Sequence, residues 1–126
     1  MGSPSPTLRR FFDRLFWFLS GIPLGQLVLF YGFVLCARLS LGYWPTPYHP
    51  DPKDVDIYLY YEFLCYSMFA VPLSFFLFTP LVLRFRTHFL LSRRSLVGIV
   101  LYFAGLTAWI MSYYFDPGRY WEWFFD

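Results

Sequence analysis

"LRRFFDRLFWFLSGIP", residues 8–23, stands directly before a long apolar run, and its reading decides how many membrane elements the chain has. Leu8, Phe11, Phe12, Leu15, Phe18 and Leu19 recur at near-helical spacing, with Arg9, Arg10, Asp13 and Arg14 between them. That is the pattern of an amphipathic helix lying in a membrane interface. Gly21 and Pro23 weaken helical continuity, so residues 8–20 are expected to form a short interfacial helix that ends before the first span. The alternative is a single tilted helix from about residue 11 to 41, kinked at Pro23.

Three stretches are long and apolar enough to cross a hydrocarbon core, which takes about 20 helical residues. They are 22–41, 58–83 and 96–115, separated by a Pro-rich loop (42–57) and a basic loop (84–95) and followed by an aromatic tail (116–126). The expected fold is therefore all-α: one integral membrane domain over 1–126, with three transmembrane helices plus the interfacial one. Composition agrees. Of 126 residues 58% are hydrophobic and only 14% charged, against about 25% in soluble domains. The mean hydropathy of +0.46 understates the apolar character, because 26% of residues are Phe, Trp or Tyr and such scales score Tyr and Trp as polar.

The arginines ahead of the first run resemble a signal-peptide n-region, but the run is too long and no small-residue cleavage site follows, so it is expected to be retained. Met1-Gly2-Ser3 opens like a myristoylation signal that fails at Pro6. Orientation is read from Lys and Arg. Arg9, Arg10, Arg14, Arg84, Arg86, Arg93 and Arg94 fall on one side; only Lys53 and Arg119 fall in the 42–57 loop and the tail. The expectation is a cytoplasmic N-terminus and an outside C-terminus, periplasmic if the membrane is a bacterial inner membrane. No basic run is dense enough for nucleic acid.

Inside the second span, Pro72 and Pro80 each remove a backbone donor, predicting a bend near 68–72 and a loosened or ended helix near 76–80. Gly25, Gly32 and Cys36 on the first span, and Gly98, Ala104, Gly105 and Ala108 on the third, offer small faces for close helix contact. Arg38 and Glu62 are the ionisable groups within spans. If Tyr43 and Tyr58 mark one interface, Arg38 lies about 8 Å and Glu62 about 6 Å below it, so an intramembrane ion pair between them is expected. Cys36 and Cys65 are also level with each other, but helical geometry lets only one of the two pairs face, and the cysteines are expected to be free.

Neither His49 nor His88 lies within a span, so no haem or pigment is expected on this chain's own axial ligands; peripheral lipid, quinone or carotenoid contact is compatible with its aromatic surface. "HPDPKDVD" (49–56) supplies oxygen donors without an EF-hand turn, and no complete catalytic or phosphate-loop motif occurs. No catalytic or metal residues are therefore assigned. Pro45, Pro47, Pro50 and Pro52 predict a stiff, extended segment in which Trp44, Pro45, Tyr48, His49, Pro50, Asp51 and Pro52 form a docking loop. Tyr120, Trp121 and Trp123 are expected to lie beside it as an aromatic shelf.

These features favour a non-catalytic accessory or scaffold subunit of a respiratory or photosynthetic membrane complex, with other membrane subunits and lipids as partners. The alternatives are an oligomeric small transporter or channel using Glu62, and a membrane enzyme using His49, Asp51, Asp54 or Glu62 as acid, base or ligand.

Overall fold

The computed structural model describes residues 5–84 and 92–125. Arg86, His88 and most of the basic loop lie outside them. Among the described residues five α-helices follow in order: α1 (Pro6–Leu41), α2 (Tyr58–Ser67), α3 (Ala70–Arg84), α4 (Arg93–Tyr114) and α5 (Tyr120–Phe125). A single 3-10 turn, Pro52–Asp54, interrupts the first loop. Three units are long and apolar enough to cross a membrane: α1, α2 with α3, and α4. The chain is an all-α membrane protein.

The boundary expected at Gly21–Pro23 is absent, and residues 8–20 are the first turns of the same 36-residue helix as the span. Ser5 caps it, its hydroxyl accepting from Leu8 N, and Pro6 sits in the first turn, where a missing N–H costs nothing. Gly42 ends it in the left-handed conformation, with φ of 78°. The reason for continuity is the buried seam. Phe16, Leu19, Pro23, Gln26, Phe30, Phe33 and Ala37 follow one another at intervals of three or four and are all buried, so one stripe crosses the presumed break. In apolar surroundings every other backbone group gains by staying paired, and one proline does not outweigh that. At 1.5 Å per residue α1 is about 54 Å long, well beyond the hydrocarbon thickness. Its exposed Arg9, Arg10 and Arg14 therefore belong to a projecting end.

The second span divides where Pro72 predicts. Pro72 cannot donate to the Met68 carbonyl, which instead accepts from Val71 N at 3.4 Å, and the regular helical hydrogen bonding lapses at Met68 and Phe69, although Met68 keeps helical dihedrals. No such loosening occurs at Pro80. The helix runs through it to Arg84: the one hydrogen bond that Pro80 forfeits is outweighed by those of the surrounding turns, Pro80, like Pro72, being exposed.

α1 is the central helix and contacts α2, α3 and α4. Two clusters fill its flanks. Toward the N-terminal end, Phe16 stacks on Phe78 (5.5 Å) and Phe78 on Tyr102 (4.0 Å), with Leu19 and Leu81 beside them. Toward the C-terminal end, Phe30, Phe33, Val34 and Ala37 of α1 pack with Val55, Leu64, Trp121, Trp123 and Phe124. Between the clusters lies a polar link: Gln26 Oε1 accepts from Ser67 Oγ at 2.8 Å, at the last residue of α2. The small residues of α4 serve the α1 contact. A side-chain carbon at Gly98 would collide with the Phe16 ring, and one at Gly105 would lie 3.1 Å from the Leu24 backbone nitrogen.

Candidate functional site: the proline loop and the aromatic tail

The 42–57 loop is folded back on itself instead of extended. Thr46 and His49 exchange backbone hydrogen bonds at 3.1 Å, and the Thr46 hydroxyl also donates to the His49 carbonyl. Asp51 then caps the 3-10 turn, its Oδ1 accepting from Lys53 N at 2.9 Å. Val55, Pro45 and Pro52 are buried, so two of the seven expected docking residues are structural. Trp44, Tyr48, His49 and Asp51 remain exposed and Pro50 half-buried. Among the described residues, no group of three His, Cys, Asp or Glu side chains comes together in a way that could hold a metal ion.

The tail is a helix, which the composition of "DPGRYWEWFFD" (116–126) did not suggest on its own. Asp116 Oδ2 accepts from Trp121 N at 2.7 Å and so caps α5, while Arg119, at φ of 55°, makes the sharp entry. Trp121 lies flat on Phe30, centroids 3.8 Å apart and planes within 6°, and Trp123 stacks on Phe33. Trp121 and Trp123 are thus core residues, not interface anchors. Both indole N–H groups are satisfied: Trp121 Nε1 donates to Ser112 Oγ at 3.1 Å and Trp123 Nε1 to the Pro50 carbonyl at 2.7 Å. The Trp123 bond, with Trp44 and Tyr120 in ring contact, joins tail to loop as one surface.

Arg38 and Glu62 are not brought together. The Arg38 guanidinium turns to the end of its own helix, donating to the Gly42 carbonyl at 3.4 Å and lying 4.7 Å over the Trp44 ring. A helix C-terminus and an indole face both attract a cation, and they lie within one turn of it. Glu62, half-buried on α2, makes no ion pair among the described residues. Cys36 and Cys65 are free and half-buried.

Among the described residues the ion pair that does form is Arg119 with Glu122, with Nε donating to Oε2 at 2.7 Å and a second bond from Nη2 to Oε1. This carboxylate first, and the Tyr48 hydroxyl second, push the Arg119 guanidinium pKa up, so its charge is firmly kept. Beside the pair is an open hollow of about 480 Å³, walled by Tyr113, Tyr114, Trp121 and Phe125 and carrying the Asp116 and Glu122 carboxylates. Asp116, Arg119 and Glu122 were missed because their importance arises from a chain reversal. The Asp-Pro-Gly turn signal at 116–118 was the one clue that the tail folds back. Compared with family models, curated proteins and solved structures, the chain matches none.

Proposed function

We propose that the chain is a non-catalytic accessory or scaffold subunit of a larger membrane protein complex, respiratory or photosynthetic in kind. The observation that carries this reading is the outward aromatic surface of α2 and α3. Phe63, Tyr66, Phe69 and Phe76 are all more than half exposed, and only 22% of the apolar window of this span is buried within the chain. Broad, rigid rings bring large contact area at little conformational cost when another helix packs on them. The folded loop adds Trp44, Tyr48, His49 and Asp51 as a polar and aromatic contact surface, braced from behind by Trp123. In this reading the basic N-terminal end faces the cytoplasm and the loop and tail face outside, as the distribution of Lys and Arg favours; for a bacterium the membrane is the inner one.

Mild-detergent purification of the tagged chain from its native membranes tests this. The expected result is co-purification of other membrane subunits in fixed stoichiometry, weakened by alanine at His49 and Asp51. A chain that runs alone would reject the proposal. The transporter reading retains one specific support, the half-buried Glu62 without an ion pair among the described residues. Proton-coupled flux in liposomes that is lost in Glu62→Gln would favour it, and flux that survives the substitution would exclude Glu62 as the coupling group.

A further inference from the structure

The basic end of the molecule presents a face that neither the loop nor the tail uses. At about 100° per residue, Arg10, Arg14 and Trp17 fall within about 60° of one another on α1. Arg94 of α4 comes to the same side, its guanidinium 5.6 Å from the Trp17 ring centroid. The register of the two helices brings it level with Arg14: a side-chain carbon at Gly98 would meet Phe16 and Ser20, and Arg94 precedes Gly98 by one turn. Arg10, Arg14 and Arg94 are all exposed and enter no ion pair among the described residues. Asp13 shares the face, exposed and likewise without an ion pair there, so three guanidinium groups stand against one carboxylate. The ring face holds Arg94 without occupying an N–H donor, which leaves its planar fork for an oxyanion.

The length of α4 fixes the level of this face in a bilayer. Its 22 residues make about 33 Å, a hydrocarbon thickness, and its Asp, Glu, Lys, Arg or His residues are confined to Arg93 and Arg94 at the start. Arg94 and Arg14 therefore stand at the edge of the hydrocarbon and Arg10 about 6 Å farther out, where lipid phosphates lie. Inward, the same face of α1 continues as Gly21, Gly25 and Val28, and a side-chain carbon at either glycine would meet nothing within 4 Å, so the surface there is open. Val97, one turn inward of Arg94, is 59% exposed. A free phosphate would leave this apolar strip uncovered, and an acidic peptide would not follow it into hydrocarbon. A metal cation would be repelled by the three guanidinium groups.

We propose that this face binds an anionic phospholipid, its phosphate bridging Arg94 and Arg14 with Arg10 above, and an acyl chain lying inward over Gly21 and Gly25 beside Val97. The phosphate oxygens take the forked donors of arginines on two helices, so the lipid also ties α1 to α4. The proposal is independent of the scaffold reading, since the site lies within one chain and at the end opposite the loop and tail.

Native mass spectrometry of the purified full chain tests it, titrating phosphatidylglycerol and phosphatidylcholine of identical acyl chains. In detergent the readout does not depend on which way the chain inserts. Phosphatidylglycerol is expected to bind at least about fivefold more tightly, the contribution of one arginine near an anionic headgroup. Arg14→Gln is expected to weaken that binding about three- to tenfold. Arg84→Gln is the control at the same end: α3 packs on the Leu19 side of α1, opposite Trp17, and binding should stay within about twofold of the unsubstituted chain. Both positions are exposed, so melting should not move. Equal binding of the two lipids, binding unchanged by Arg14→Gln, or equal losses in Arg14→Gln and Arg84→Gln overturns the proposal. Displacement by glycerol phosphate or by polyglutamate at equal charge would assign the face to a free phosphate or an acidic peptide and overturn the lipid as its ligand.

Discussion

A methyl group added at Gly105 would press on the backbone nitrogen and Cβ of Leu24, at 3.1 and 3.3 Å, on the helix that organises the whole bundle. Because the nearest atom is backbone, relief would require α1 and α4 to shift apart slightly. Gly105→Ala is therefore expected to lower stability by about 1–3 kcal/mol, the usual cost of overpacking, read as an earlier thermal midpoint in detergent. Gly25→Ala is the matched control. Nothing lies within 4 Å of that position, so it should be neutral or stabilising by up to about 1 kcal/mol through helix propensity alone. Both glycines look alike in the sequence, as small residues on apolar helices. What separates them is which side of the helix a neighbour occupies, and no local pattern encodes that. Arg38 and Glu62 teach the same lesson. Their similar depth followed from helical rise, but their separation follows from closer alternatives for Arg38, the Gly42 carbonyl and the Trp44 ring.

Among the helices, the three interior prolines act differently. Pro72 breaks the second span and Pro23 and Pro80 do not. Pro72→Ala restores a donor for the Met68 carbonyl and is expected to fuse α2 and α3, with higher helicity by circular dichroism and a changed distance between spin labels at positions 59 and 83. Pro80→Ala should leave that distance unchanged. The break at Pro72 was readable from the missing N–H. The continuity at Pro23 was readable too, from the 3–4 spacing of Phe16, Leu19, Pro23, Gln26 and Phe30, once the proline is counted within the seam. The docking of α5 was not, because Trp and Phe residues that anchor an interface have the same composition as those that fill a core. Trp123→Phe is expected to keep the stacking on Phe33 but orphan the Pro50 carbonyl, costing about 1–3 kcal/mol. Faster hydrogen exchange confined to residues 45–56 would register the released loop.

The molecule as a whole is built around one long helix with most of its basic residues at one end, where Asp13 also lies, and most of its acidic residues at the other, beside Arg38, Lys53 and Arg119. Arg9, Arg10, Arg14, Arg93 and Arg94 gather where α1 and α4 begin, and Arg94 lies over the Trp17 ring at 5.6 Å. Asp51, Asp54, Asp56, Asp116 and Glu122 gather at the opposite end. Such sorting predicts one fixed orientation. Single cysteines at positions 53 and 94, in a Cys36→Ser, Cys65→Ser background, are expected to react with an impermeant maleimide on opposite faces of sealed cells and inverted vesicles. Equal labelling of both from one face would contradict it. Length and hydropathy sufficed to count the spans, because crossing a bilayer is a constraint on composition. How α1 assembles the others required contacts between residues far apart in sequence.

The flat pairing of Trp121 on Phe30 has an optical consequence. Trp109 stands edge-on to the same indole at 6.1 Å and 80°, so two tryptophans are held close together in a fixed, asymmetric arrangement. Transitions of such neighbouring indoles mix, and rigid aromatic packing gives structured near-ultraviolet circular dichroism that vanishes when the packing is lost. The protein thus carries a built-in chromophore pair that reports, without any label, whether its C-terminal helix is seated.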